Sequence, residues 1–402
     1  MPKLFLGNFD FEHTLAAGPK AATPSSRLRR LCDELAFAWL GQCGPDDAIL
    51  CDAPPPPEFL EELSARLGTP LPRLLTAGEV RPGMTAEPWG WTEAISRRAI
   101  TLGCTLAERP AFASVRVANS RQFSLLQEQR RNCGLAGAAA AESIAELTDA
   151  LRRLADTRGP ADEWVIKANY CNSSRERLRS RGTELTERQV RWVRQRLAAG
   201  QAVVLEPWVE IVAEAGLQWE IPRTGTPVLI GVVPQIMDGA GHYRGSQFVT
   251  DRNSAVDWRA AINVTSEVAA DLQRGGYFGP VGIDACWYRD DDGELRPRPL
   301  QDINARWSMG RLALGWRRHF PDARQATWHC GGQPESAQVS NPDGANTHSR
   351  QIIATTPAFL AGAPIELRQW IELAGSAGFG TPPSGLPRTT DTPEVCNDFE
   401  PS

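Results

Sequence analysis

Residues 300–306, LQDINAR, alternate in a way that only a strand rationalises. Asp302, Asn304 and Arg306 fall on one face, and Ile303 and Ala305 on the other. Just upstream, VGIDACWYR, the acidic turn DDDG with Gly293, and LRPRPLQDINAR read together as a hairpin. Near the N-terminus, KLFLGNFDF begins as a strand and breaks at Gly7-Asn8. PSSRLRRLCDELAFAWLG has helical spacing, with Ser25 or Ser26 as cap and Gly41 as stop. DDAILCD is a short buried strand, and PPPPEFLEELSARLG a helix that starts after its prolines and ends at Gly68. Strand, helix, strand, helix predicts an α/β fold with parallel strands. Signals thin between 70 and 110.

From 111 onward ASVRVANS reads as a strand and RQFSLLQEQRRNCG as a helix ending at Gly134. AAAAESIAELTDALRRLADT is an amphipathic helix, EWVIKANYC a strand, and ERQVRWVRQRLAAG a helix ended by Gly200. AVVLEPWVEIV is a strand or a strand pair, PVLIGVVPQIM a strand, and AVDWRAAINVTSEVAADLQRGG contains a helix. The polar 321–350 stretch reads as a loop or linker, RQIIATTP as a strand, PIELRQWIELAG as a short helix, and the final residues as a disordered tail. The expected organisation is an N-terminal α/β domain over 1–110, a second domain over 111–320, and a linker with a short C-terminal α/β segment over 321–402.

Composition narrows the function. Apolar residues are 42% and charged residues 23%, as in a soluble globular chain able to bury a large core. A net charge of −5 gives no reason to expect a nucleic-acid partner. No apolar stretch is long enough to span a membrane, and the acids that follow the first apolar run are foreign to a signal peptide. Nine cysteines without a CxxC pair, and five histidines, speak against a zinc site or a disulfide framework. Free thiols fit a reducing cytoplasm.

Three stretches carry chemistry. Asp284, inside VGIDACWY, faces Asp302 and Asn304 if the hairpin forms. Two carboxylates and an amide oxygen are hard ligands suited to Mg²⁺ on a polyphosphate, because adjacent carboxylates repel unless a cation sits between them. The plainer reading is a solvated strand with surface acids; it fits the turn acids Asp290, Asp291 and Asp292 better than Asp284, which needs a partner. Lys167, ending an apolar strand ahead of Asn172, Ser173 and Ser174, suits phosphates, or is a strand-end lysine in solvent. Glu206, with Pro207-Trp208-Val209 behind it, can accept from an amino group, or is a surface acid beside a core tryptophan.

In this order the elements resemble the ATP-grasp superfamily over about 111–312. GPVGIDACWYRDDDGELRPRPLQDINARWSMG is similar to that family's Gly-x-x-Gly-x-Asp … Glu-x-Asn-x-Arg ending. The resemblance implies an ATP-grasp fold and a set of roles. Asp284, Asp302 and Asn304 hold one or two Mg²⁺, with Mn²⁺ as an alternative. Lys167 and Arg121 contact phosphates, with Ser173 and Ser174 in the covering loop. Glu206 accepts from the adenine amino group, with Trp208 and the Val209 backbone at the ring. Glu214, or else Glu220, holds the ribose, and Arg306 contacts the acyl phosphate or the substrate carboxylate. The chain departs from the pattern at Asp302, where glutamate is usual, at Arg121, where lysine is common, and in the glycine-poor 168–182 loop.

The implied reaction is ATP-dependent activation of a carboxylate as an acyl phosphate, followed by capture by an amine, with the 168–182 loop as a lid. The substrates are small or peptide-like molecules, coenzyme precursors among them. The competing readings are a nucleotide-binding protein without ligase activity and an α/β interaction protein whose acidic hairpin is surface decoration.

Overall fold

The computed structural model describes residues 1–18, 25–159, 161–170, 176–250, 256–332 and 350–374. Its five N-terminal strands are all parallel, in the order Arg73–Leu75, Ala48–Leu50, Lys3–Leu6, Thr85–Pro88, Thr105–Leu106. Helices Ser26–Ala36, Pro57–Leu67 and Glu93–Thr101 link them. Local chemistry sets their ends. Ser25 Oγ accepts the Leu28 N–H at 3.2 Å, Thr92 Oγ1 accepts the Ile95 N–H at 3.1 Å, and Gly68 stops its helix at φ 67°. The 70–110 stretch, quiet in sequence, thus supplies three strands and a helix.

ASVRVANS is a helix, Phe112–Ala118, rather than the expected strand. Its Val115 and Ala118, spaced for one helical face, are buried, while Val117 is 55% exposed. Ala139–Ala141, expected as the start of a helix, is a strand, and that helix begins at Ile144. The strand joins a four-stranded antiparallel sheet in the order Ala139–Ala141, Val203–Pro207, Glu163–Ala168, Arg177–Arg181. Helices Ile144–Arg158 and Glu187–Ala198 cover it through Leu147, Leu151, Leu154 and Val193.

The third layer is an eight-stranded antiparallel sheet: Leu295–Asn304, Gly279–Arg289, Glu210–Ile221, Val228–Met237, Tyr243–Val249, Gln325–Cys330, Gln369–Ala374, Gln351–Ala354. Helix Arg259–Arg274 lies on one face, where Trp219 Nε1 donates to Thr265 Oγ1 at 3.1 Å. The short helix Met309–Gly315 lies on the other, where Ser308 Oγ donates to Gln218 Oε1 at 2.5 Å. The C-terminal stretch differs from expectation. Gln325–Cys330 is a strand within the supposed linker, and PIELRQWIELAG forms strand Gln369–Ala374 instead of a helix. Both extend the large sheet; the 383–402 tail lies outside the described residues.

The architecture is α/β, with one parallel and two main antiparallel sheets. The N-terminal sheet and the large sheet meet through aromatics. Phe5 and Trp39 lie 4.9 Å apart, and Trp39 and Trp307 5.2 Å, between ring centroids. Trp307 Nε1 donates to Glu87 Oε1 at 3.0 Å, so the residue after Arg306 is pinned to the parallel sheet. Among the described residues no helix is long and apolar enough to cross a membrane.

Candidate functional site

The hairpin sets the site. Asp284 and Asp302 are direct cross-strand partners, Gly282 pairs with Asn304, and Gly216 lies opposite Asp284 on its other side. These positions share a face because directly opposed residues point the same way. Glycine at 216 matters here. A Cβ there would sit 2.7 Å from Gln218 Nε2, 3.0 Å from Gln235 Nε2 and 3.5 Å from Asp284 Oδ1, crowding the amides around the carboxylate.

Asp284 is held from two sides. Gln235 Nε2 donates to Oδ1 at 2.8 Å and Asn304 Nδ2 to Oδ2 at 2.9 Å. Burial, and then the charge of Asp302, push its carboxyl up to about 7 against the opposing bond from Gln235. Asp302 takes its own cation, accepting from Arg121 Nη2 at 3.1 Å, while Arg121 Nη1 donates to the Ala168 carbonyl at 2.8 Å. Arg121 opens helix Arg121–Arg130, capped by Ser120, and so bridges the two antiparallel sheets.

Two hard carboxylates on facing positions fit a divalent cation, which would offset the repulsion that pushes the Asp284 carboxyl up. Waters and phosphate oxygens would complete its shell. Asn304 turns its amide nitrogen to Asp284 and its oxygen to Arg306 Nη2 at 3.0 Å, so ligation through that oxygen requires the amide to turn. Among the described residues there is no group of three or more His, Cys, Asp or Glu side chains disposed around a metal position. The fit therefore rests on a two-carboxylate pair.

A second cluster lies further along strand Leu295–Asn304, at Arg298. Lys167 Nζ donates to Glu206 Oε2 at 2.7 Å. Arg298 donates to the same carboxylate at 3.2 and 3.0 Å, and to Glu128 at 2.6 and 3.1 Å. Glu128, Glu206 and Arg298 are 1%, 5% and 2% exposed. Burial works to raise the Glu206 carboxyl, but Arg298 and Lys167 outweigh it and hold the group well below the usual range. Burial pushes Glu128 up to about 7 against the pull of Arg298. Both oxygens of Glu206, expected to accept from an adenine amine, are thus taken by two cations.

Glu214 lies within the charge of both clusters. It is a cross-strand partner of Gln235, and burial raises its carboxyl against a bond from Gln301 and the charges of Lys167, Arg177 and Arg298. Glu220, the other ribose candidate, is bound by Arg311 at 3.0 Å, with the Glu87 and Lys3 charges of the N-terminal sheet nearby. Trp208 lies under Arg179 at 3.9 Å and Arg177 at 5.3 Å, and its N–H donates to the Glu163 carbonyl at 2.8 Å. Val209 follows, half-buried. Ser173 and Ser174 lie outside the described residues, as does the rest of 171–175. The expected lid is otherwise built into strand Arg177–Arg181.

Arg306 is set at the border with the N-terminal sheet. Its Nε donates to Glu12 Oε1 at 2.5 Å and its Nη1 to the Trp307 carbonyl at 2.7 Å, and its guanidinium lies 4.9 Å from the Trp89 ring centroid. Glu12, Glu128, Gln235 and Arg298 were not legible as site residues. The hairpin register shifts between Asp302 and Arg298, so parity along the strand does not carry from one to the other.

No family model and no curated protein matches the chain. Solved structures do. N5-carboxyaminoimidazole ribonucleotide synthetase from Thermus thermophilus is 14% identical over 93% of this chain and 94% of its own, with a TM-score of 0.49. The biotin carboxylase domain of 2-oxoglutarate carboxylase from Hydrogenobacter thermophilus, solved with MgADP, ADP and bicarbonate, is 12% identical over 93% and 86%, with a TM-score of 0.48. D-cycloserine synthetase is 18% identical over 68% and 97%, with a TM-score of 0.41. At this level of likeness the chemistry must be read from the chain's own residues.

Proposed function

We propose that the chain is an ATP-dependent ligase that activates a small-molecule carboxylate and joins it to an amine. The observation that carries this reading is the facing pair Asp284–Asp302 with Arg121 on Asp302, and Lys167 on the neighbouring four-stranded sheet. It offers two carboxylates for a cation and two cations for phosphates. The sequence resemblance of 280–310 to ATP-grasp ligases supports the same reading.

Bound Mg-ATP would supply the phosphoryl group and offset the charge on its oxygens. The chain's part is positioning. Asp284 and Asp302 would hold the metal. Lys167 and Arg121 would turn from Glu206 and Asp302 toward phosphate oxygens. Glu214 would accept hydrogen bonds from ribose hydroxyls, while Trp208 and the Val209 backbone would border the base. Arg306, paired with Glu12 in the ligand-free chain and held by Asn304 and the Trp307 carbonyl, would exchange Glu12 for the substrate carboxylate. Transfer of the γ-phosphoryl group to the carboxylate would give an acyl phosphate and ADP; an amine would then attack its carbonyl, forming the C–N bond as the C–O bond to phosphate breaks, inorganic phosphate leaves and the amine loses a proton. The seven described cysteines are all free thiols, which supports the cytoplasm as the compartment.

A second reading is a nucleotide-binding protein without ligase activity. It is favoured by the fact that Lys167 and Arg121 are each already ion-paired. The test is the thermal midpoint with ATP, Mg²⁺ and both, followed by ADP release across panels of carboxylates and amines. A midpoint rise that needs both ligands, with ADP released only when an acid and an amine are present, supports the ligase. A rise without ADP release on any pair supports the binder, and no rise removes both.

A further inference from the structure

The parallel sheet grows in two directions from its centre. From Lys3–Leu6 one side adds Ala48–Leu50 and Arg73–Leu75, and the other adds Thr85–Pro88 and Thr105–Leu106. Such a reversal leaves a crevice beyond the carboxyl ends of the two central strands. The segment Trp89-Gly90-Trp91, leaving strand Thr85–Pro88, runs along it. Trp91 borders the small cleft that also contains Arg306 and Trp89. It also borders a separate cavity of about 610 Å³ with Ser96, Ile100, Arg109 and Phe112.

That volume is in the range of small-molecule sites. The walls are apolar: Trp91 and Phe112 are half-buried, and Ile100 is 61% exposed. The charges at the rim divide into spent and unspent. Glu93 pairs with Arg97 at 3.9 Å, and Glu108 with Arg223. Arg109 lies over the Trp91 ring, 5.6 Å from its centroid, and has no carboxylate in ion-pairing reach among the described residues. A guanidinium laid on an indole beside an apolar hollow offers a fork to an oxyanion and a ring to a flat body.

We infer that this cavity binds a small molecule with a flat apolar body and an oxyanion, either carboxylate or phosphate. The body lies against Trp91, Ile100 and Phe112, and the oxyanion on Arg109. Because Trp91 borders both hollows, the ligase reading makes this cavity the tail pocket of the substrate, with the reacting carboxylate at Arg306 and a second oxyanion on Arg109. The identity of the ligand as substrate rests on that reading; the binding does not.

Naphthalene-2-carboxylate is the probe, added to the full chain without ATP and followed by tryptophan quenching and calorimetry. Binding saturates, and Arg109→Ala weakens it by about tenfold or more, the scale of one charge-assisted hydrogen bond. Arg109→Lys keeps part of the affinity. The neutral 2-naphthalenemethanol binds wild type no better than the acid binds Arg109→Ala. Tighter binding of either 2-naphthyl phosphate or the carboxylate through Arg109 supports the site and names the oxyanion. Equal affinity in wild type and Arg109→Ala, equal affinity for the alcohol, or no saturable binding overturns it. Failure of the ligase reading shows separately, as absence of ADP release on every acid–amine pair in wild type.

Discussion

Strand Leu295–Asn304 feeds two charge clusters of opposite character. At Arg298 it closes a buried group in which two cations, Arg298 and Lys167, meet two carboxylates, Glu206 and Glu128. At Asp302 it sets a carboxylate opposite a half-buried second one, with Arg121 as the ion-pair partner of Asp302. The first cluster is paired among its own members, with Glu128, Glu206 and Arg298 closed to water and Lys167 at its open edge. The second is left wanting a cation or a proton. The difference separates a cluster that holds two sheets together from one shaped to receive something, although both draw on the same residue types.

The hardest test of that contrast is Arg298→Met. It leaves two buried carboxylates without their shared partner, and removal of one side of a buried ion pair costs about 3–5 kcal/mol. Urea unfolding should show a loss of that size. A loss no larger than that of an exposed ion pair would mean that the cluster is not the closed unit its burial implies. Next comes Asp302→Asn. It removes one metal-facing carboxylate and frees Asp284 from its neighbour's charge, so the Mg-dependent part of the ATP midpoint shift should vanish. Ligase turnover should fall by about a hundredfold or more, the scale for transition-state charge left unneutralised. Retention of the shift would move the metal away from the pair.

Proton linkage sharpens the comparison because each cluster contains one carboxyl raised to about 7, Glu128 in the first and Asp284 in the second. Both groups hold a proton in the folded chain that the unfolded chain gives up near pH 4. Between those values the folded state binds more protons. The ligand-free chain should therefore lose stability as pH rises from about 4 to about 7. Urea midpoints across that range should decline, and both Glu128→Gln and Asp284→Asn should flatten the decline. Added Mg²⁺ separates the two, since it competes only for the Asp284 proton. Mg²⁺ affinity should climb with pH and level off above about 7 in wild type and in Glu128→Gln alike.

The sequence displayed the second cluster far better than the first. Alternation in QDINAR and the parity of the hairpin were enough to bring Asp284, Asp302 and Asn304 to one face, since a period of two and a short turn are local facts. Arg298 shows no such mark. Its partners Glu206 and Glu128 stand 92 and 170 residues away, and in sequence a buried cation between prolines looks like a solvated one. Strand Gln369–Ala374 was misread for a related reason. Six residues with mixed spacing do not choose between helix and strand, and the choice was made by neighbours at Gln325–Cys330 and Gln351–Ala354. ASVRVANS went the other way: β-branched residues suggested a strand, but Val115 and Ala118 had a core to face as a helix. The arrangement of Glu12 and Trp89 against Arg306 depends on how the N-terminal sheet docks, which no local pattern encodes.

Arg121→Lys carries the smallest expected effect and the finest distinction. Arg121 joins the clusters' two sheets, donating to the Ala168 carbonyl at the end of strand Glu163–Ala168 and to Asp302 on the large sheet. Lysine keeps the charge but replaces a planar fork with a point donor, so it cannot reproduce both contacts with the same geometry. If Arg121 serves mainly as a phosphate ligand that parks on Asp302 in the ligand-free chain, lysine should substitute well. Stability should then change by less than about 1 kcal/mol, the scale of a partly exposed ion pair, and the KM for Mg-ATP should rise only a few-fold. If instead the fork is a fixed strut that belongs with the buried cluster, stability should fall by more than that while nucleotide KM stays the same. Urea unfolding and a nucleotide titration on the one variant therefore decide to which side of the comparison Arg121 belongs.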